Sequence, residues 1–126
     1  MKPILSYIIL LSLFLISNCG DKVREVITER YDDGSKKLLV KYKGKGVDEV
    51  IIKRITYSES GDTLILEKPL DKLKMVREYY KNGKIEREVN YKDGVRDGKW
   101  TYYNEDGSKI KIETYKKGKL HKTKEY

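Results

Sequence analysis

Cysteine and histidine each occur once in the 126 residues, as do tryptophan and phenylalanine, and proline occurs twice. One cysteine excludes a disulfide within the chain, and a thiol nucleophile would need the one histidine, His121, delivered from the far end. The acids that pair in sequence, Asp32-Asp33, Asp48-Glu49 and Glu105-Asp106, have neither the spacing of an EF-hand loop nor a His/Cys partner, so no metal site is expected. No long block of pure Lys/Arg appears, and no span after the N-terminus has convincing helical periodicity. What is abundant is charge, 38% of residues, and tyrosine, eleven in all. Tyrosine fits half-buried sheet faces, where the ring packs and the hydroxyl stays wet. With aromatic and β-branched residues spread evenly through the chain, disorder is excluded and one small domain is expected.

The first twenty residues form a separate object. Lys2 is followed by an uncharged apolar run from Ile4 to Ile16 and then by Ser17-Asn18-Cys19-Gly20. As a helix the run spans ~20 Å, short of the ~30 Å hydrocarbon core, so it reads as the h-region of a signal peptide. Ile16-Ser17-Asn18-Cys19 resembles the processing site of bacterial lipoproteins, although Asn18 departs from the small residue usual before the cysteine. The resemblance implies cleavage after residue 18, acylation of Cys19 and anchorage in the cell envelope of a bacterium. With Gly20 and Asp21 following, it points to the outer rather than the inner membrane. More than one acyl chain is what stable anchoring requires. Loss of Lys2 would leave 27 basic against 20 acidic side chains, a charge of +7 that could meet anionic lipid head groups, acidic polymers or an acidic protein. With Glu and Asp interspersed throughout, it reads first as a solvated, mixed-sign surface.

Residues 19–30 are read as a tether or first strand, and residues 31–126 as a β-hairpin repeat domain. Turn glycines punctuate it: Gly34, Gly61, Gly83, Gly94, Gly98, Gly107 and Gly118. Between them Leu38, Val40 and Tyr42 alternate with lysines, which predicts one apolar and one basic face, and Ile85, Arg87, Val89, Tyr91 repeat the period. Val50–Tyr57 and Thr63–Leu66 read as strands around a Ser60-Gly61-Asp62 turn, Pro69 marks a strand end or edge, and Met75–Tyr80 reads as strand. Tyr80-Lys-Asn-Gly83, Tyr91-Lys-Asp-Gly94, Tyr103-Asn-Glu-Asp-Gly107 and Tyr115-Lys-Lys-Gly118 read as four turns of one design. Glycines every 11 to 13 residues leave about seven for each strand, and an antiparallel meander follows.

Gly94-Val-Arg-Asp-Gly98-Lys-Trp100-Thr-Tyr102, followed by Asn-Glu-Asp-Gly107, resembles the MORN repeat, and more closely its bacterial, antitoxin-like variant. The resemblance covers residues 79–122 best and is complete only from Tyr91 to Gly107. It implies an all-β open sheet of stacked hairpins, preceded here by a signal-peptide helix. In the hairpin Gly94 supplies a positive φ, and Gly98 permits a bulge or the close approach of a neighbour. Trp100 and Tyr102 share a face, so Tyr91, Trp100, Tyr102 and Tyr115 form the candidate binding face.

Catalysis finds no support. No Gly-x-Ser-x-Gly context surrounds a serine. Glu86 and Glu88 share a strand face at a separation that overlaps glycosidase pairs, as any Lys/Glu-patterned surface does. No cofactor is expected, and export argues against nucleic acid. The expectation is a non-enzymatic, envelope-anchored interaction module, with a toxin-neutralising immunity protein as the alternative. The last strand, Lys119 to Tyr126, is expected to be an open, lysine-guarded edge.

Overall fold

The computed structural model describes residues 22–126, so the expected signal-peptide helix and Cys19 lie outside the described residues. The described chain is a single antiparallel open sheet of ten strands. These are β1 (Val23–Arg30), β2 (Lys36–Lys43), β3 (Val50–Tyr57), β4 (Thr63–Lys68), β5 (Leu73–Tyr79), β6 (Ile85–Lys92), β7 (Val95–Arg96), β8 (Gly98–Tyr103), β9 (Lys109–Lys116) and β10 (Lys119–Glu125). Each strand pairs with the next in sequence, except that the two-residue β7 pairs only with β6 and β8 continues beside β6. Among the described residues the only helical segments are two short 3-10 turns, Gly46–Asp48 and Pro69–Asp71. The degenerate stretch between Val47 and Met75 therefore leaves the sheet unbroken. Its β-branched residues fill β3 and β4, and Pro69 sits just past the end of β4, where a missing N–H removes no ladder bond.

The four turns that read as one design follow two, at opposite ends of the sheet, while the β2–β3 and β4–β5 connections contain the 3-10 turns instead. At one end Gly34, Gly61, Gly83 and Gly107 each donate a backbone hydrogen bond to the residue three before, Tyr31, Ser58, Tyr80 and Asn104. That first residue in turn donates to the carbonyl four residues on. In three of these turns the residue before the glycine, Asp33, Asn82 or Asp106, accepts from the backbone N–H two residues on through its side chain. At the other end Asp93-Gly94 and Lys117-Gly118 are two-residue loops with positive φ at both positions, 52° and 78°, 50° and 82°. Such a loop matches the right-handed twist of its strands. A Tyr-x-x-Gly string cannot distinguish the two, because the deciding variable is whether the tyrosine opens the turn, as Tyr80 does, or ends the preceding strand's paired face, as Tyr91 does.

Directly opposed residues in an antiparallel pair lie on one face, so the registers sort the whole sheet. On the face that carries Trp100, Leu38, Thr56, Ile65, Val76 and Val89 oppose one another in turn across β2 to β6. On the other face Ile27, Leu39, Ile55, Leu66 and Met75 form a second apolar row across β1 to β5, and it stops at Asn90. The prediction of one apolar and one basic face therefore fails in β2. Leu39 and Val40 point to opposite faces and are only 6% and 4% exposed. The run Leu38-Leu39-Val40 reads as a strand covered on both sides, and in such a strand the period-two signal is lost.

Candidate functional site

The aromatic cluster of the second half is the densest packing in the sheet. Gly98 carries a φ of 83°, and a Cβ there would meet only the Asn90 side chain at ordinary contact distance. Backbone conformation, and not close approach, is what demands glycine. The bend lets the Asp97 N–H reach the Asn90 carbonyl at 3.1 Å, and the Trp100 indole donates to the same oxygen at 2.8 Å. Trp100 then lies between Tyr91 and Tyr115, at ring-centroid separations of 5.4 and 5.2 Å in tilted, edge-like arrangements. Such pairs contribute about 0.5–1.5 kcal/mol each beyond their buried area.

Arg96, from the two-residue β7, closes the cluster from above. Its guanidinium carbon stands 4.4 Å from the Trp100 ring centre and 5.1 Å from that of Tyr115, and it donates to the Tyr115 hydroxyl at 3.0 Å. Beside Trp100 on the same face, Glu113 lies directly opposite it in the register. Its carboxylate accepts from Lys111 at 2.8 Å and from the hydroxyls of Tyr102 and Tyr115 at 3.0 Å each. The Lys111 bond, ahead of the two phenols, holds Glu113 below its ordinary carboxylate range. Burial, reinforced by the bond to Glu113, pushes the Tyr102 phenol up, so it stays protonated and donates. An ionised carboxylate with three donors is an anchor for the sheet and a poor proton acceptor for a substrate.

The structure places Tyr91, Trp100, Tyr102 and Tyr115 on one face, but it buries two of them: Trp100 is 6% and Tyr115 8% exposed. Their rings are spent on the sheet itself. Tyr91, Tyr102 and Arg96 form the accessible rim. Gly34, Gly61, Gly83, Gly94, Gly107 and Gly118 occupy turns at φ between 78° and 91°, and Gly98 the bend before Trp100. Glu88 is paired with Arg77 at 2.6 Å across β5 and β6, while Glu86 and His121 are exposed. Among the described residues no group of three or more His, Cys, Asp or Glu side chains is arranged to hold a metal ion. Sequence reasoning passed over Arg96 and Glu113. Glu113 lies between Ile112 and Thr114 in the period-two pattern, but only the register of β8 with β9 places it opposite Trp100. Arg96 had no signal, because its place depends on β7 leaving the main path of the sheet.

This arrangement, a two-residue turn, a glycine bend and an aromatic buried against the preceding strand, decides what the hairpins are. Residues 75–93 and 96–117 match the family model of the MORN repeat variant. These two stretches are MORN repeats. The match starts earlier than the expected 79 and ends before 122, so β5 belongs to the first repeat and β10 lies outside the second. No curated protein and no solved structure matches the chain. The two matched stretches occupy about a third of the chain; only the hairpin with Gly94 and Gly98 carries the glycine pair, and the other strands extend the same meander without it.

Proposed function

We propose that the protein is a bacterial envelope lipoprotein, anchored through Cys19, that acts as a non-catalytic interaction module through the faces of its open sheet. The observation that carries the interaction reading is the pair of MORN repeats set in a one-layer sheet. Such a sheet gives both faces to solvent or to a partner. Its Glu113 already accepts three hydrogen bonds within the sheet, and its aromatic centre is covered by its own Arg96. The anchor rests on the apolar run from Ile4 to Ile16 ending at Cys19, with no second cysteine to compete for another role.

Two measurements test this. Wild type and Cys19→Ala are compared by detergent partitioning with and without globomycin, which blocks lipoprotein processing. Wild type is expected in the detergent phase with an accumulated precursor under the drug, and equal behaviour of both proteins defeats the anchor. Photoreactive residues placed at Tyr102 on one face and Lys99 on the other should yield adducts in intact cells. A complete lack of adducts from both positions defeats the interaction reading.

A further inference from the structure

The sheet ends in two edges, and their charges are arranged differently. On β1, Arg24 pairs with Glu49 at 2.6 Å, Glu25 with Lys41, and Glu29 with Lys37 at 3.6 Å, so the edge is neutralised from within. Residues 109–126 instead hold seven lysines against two glutamates, and the registers segregate them. Lys119 opposes Lys116, Lys122 and Lys99 both oppose Thr114, and Lys124 opposes Ile112. Lys99, Lys116, Lys119, Lys122 and Lys124 thus share the face away from Trp100, while Glu113 and Glu125 lie on the other. None of the five makes an ion pair among the described residues, although Lys124 also rests on the Tyr126 ring at 4.3 Å. Lys119 directly opposite Lys116 is a repulsive pair that the sheet leaves uncompensated.

The same strand has a free hydrogen-bonding side. The Tyr126 N–H donates to the Ile110 carbonyl at 3.0 Å, which fixes the phase of β10 against β9. Two residues back, Lys124 and Lys122 also face β9, so the amide and carbonyl groups of Thr123 and Glu125 point outward. Among the described residues no strand pairs with them.

We propose that the outer edge of β10 takes up an acidic, extended segment of another protein as an added strand. Outward groups at Thr123 and Glu125 would supply the ladder bonds. Acids at every second position of the incoming strand would stand beside Lys119, Lys122 and Lys124 and relieve their mutual repulsion. The lysines also set specificity, since a second β10 brought to this edge would place lysine beside lysine, which protects against self-pairing while admitting an acidic strand. This rests on the interaction-module reading and adds the partner's chemistry to it.

The test uses the full chain in detergent micelles and a synthetic eight-residue peptide with glutamate at alternate positions and valine or threonine between. Binding is measured alongside three controls: the peptide with alternate amides N-methylated, the peptide with glutamine for glutamate, and phosphatidylglycerol vesicles. Each altered peptide is expected to bind at least about tenfold more weakly, the equivalent of one or two ladder bonds or charge pairs. Thr123→Pro should weaken the parent peptide similarly, because it removes an outward N–H and no bond to β9. In the unmutated protein, amide exchange at Thr123 and Glu125 should slow on peptide addition, a readout that does not depend on the variant's folding. Equal binding of the N-methylated peptide overturns strand addition, and binding to vesicles but to no peptide reassigns the lysine face to a membrane surface. If neither peptide nor vesicle binds while adducts form at Lys99 or Tyr102, this proposal falls and the interaction module stands.

Discussion

The first five strands and the last five solve the same problem, a one-layer sheet in water, by different means. In β1 to β5 aliphatic side chains occupy both faces: Leu39 and Ile55 are buried on one and Val40 on the other. In β6 to β10 burial is concentrated on one face, where Val89, Trp100 and Tyr115 form a cluster with Val76, Tyr91 and Tyr102 packed against it. The opposite face of that half carries lysines. One tryptophan with two tyrosines and a covering arginine replaces what the first half spreads over two aliphatic rows. The glycine pair Gly94 and Gly98 is the condition for it, since the bend at Gly98 aims Trp100 at the Asn90 carbonyl. Strands β1 to β4 have no such pair, need no such aim, and lie outside the residues matched as MORN repeat variant. The hairpin that carries Gly94 and Gly98 thus builds a core on one side of the sheet and leaves the other side for charge.

Trp100→Ala should break the contrast most strongly, lowering unfolding free energy by about 3–5 kcal/mol. A urea titration that shows a loss below about 1 kcal/mol would mean the cluster is incidental. Leu39→Ala tests the other half and should lower stability by about 2–4 kcal/mol, whereas Lys99→Ala, on the same face within the second half, should stay within about 0.5 kcal/mol. Equal effects would erase the distinction between a doubly covered and a singly covered half. Gly98→Ala forces a side chain into positive φ and should remove about 1–2 kcal/mol, with Trp100 fluorescence shifting to the red as the indole loses its carbonyl partner. Gly61→Asn in a first-half turn should lie within about 0.5 kcal/mol, since asparagine tolerates that conformation.

Arg96→Ala should lower stability by about 0.5–1.5 kcal/mol, and Arg96→Lys should recover only part, because a planar guanidinium covers two rings at once. The smallest effect is on pH dependence. Glu113 has a folded-state pKa depressed below the value in the unfolded chain, so its contribution is complete above the ordinary glutamate range and is lost as pH falls through the depressed value. Thermal unfolding of Glu113→Gln should decline less steeply with acid than that of wild type. Parallel curves would show that Lys111, Tyr102 and Tyr115 do not favour its ionised form.

Much of this was legible beforehand because period-two alternation and turn glycines are local. Strand positions from Ile85 to Thr114 follow from them directly, as does the shared face of Trp100 and Tyr102. The second face at Leu39 was hidden because a run of three apolar residues has no alternation to read. The difference between the turns at Tyr80 and Tyr91 was hidden because both share the pattern Tyr-Lys-x-Gly, with Asn82 in one and Asp93 in the other. Tyrosine abundance predicts packed rings with wet hydroxyls, but three hydroxyls instead tie one turn to the next: Tyr31 to the Tyr57 carbonyl, Tyr79 to that of Thr63 and Tyr80 to that of Tyr103, at 2.7–2.8 Å.

By itself the sequence determined what depends on neighbours along the chain: where most strands run, that the hairpin-turn glycines take positive φ, and that the result is an antiparallel meander. The positive φ of Gly44 and Gly46 was not singled out. Only the tertiary structure decided what depends on register. The pairing of β8 with β9 sets Glu113 beside Trp100 on the same face, the departure of β7 sets Arg96 over the ring, and a one-residue bulge between Leu120 and Lys122 keeps the lysines of β10 on one face. A shift of one residue moves every side chain to the opposite face, and the chain's pattern fixes the period of two without fixing which partner stands across the gap.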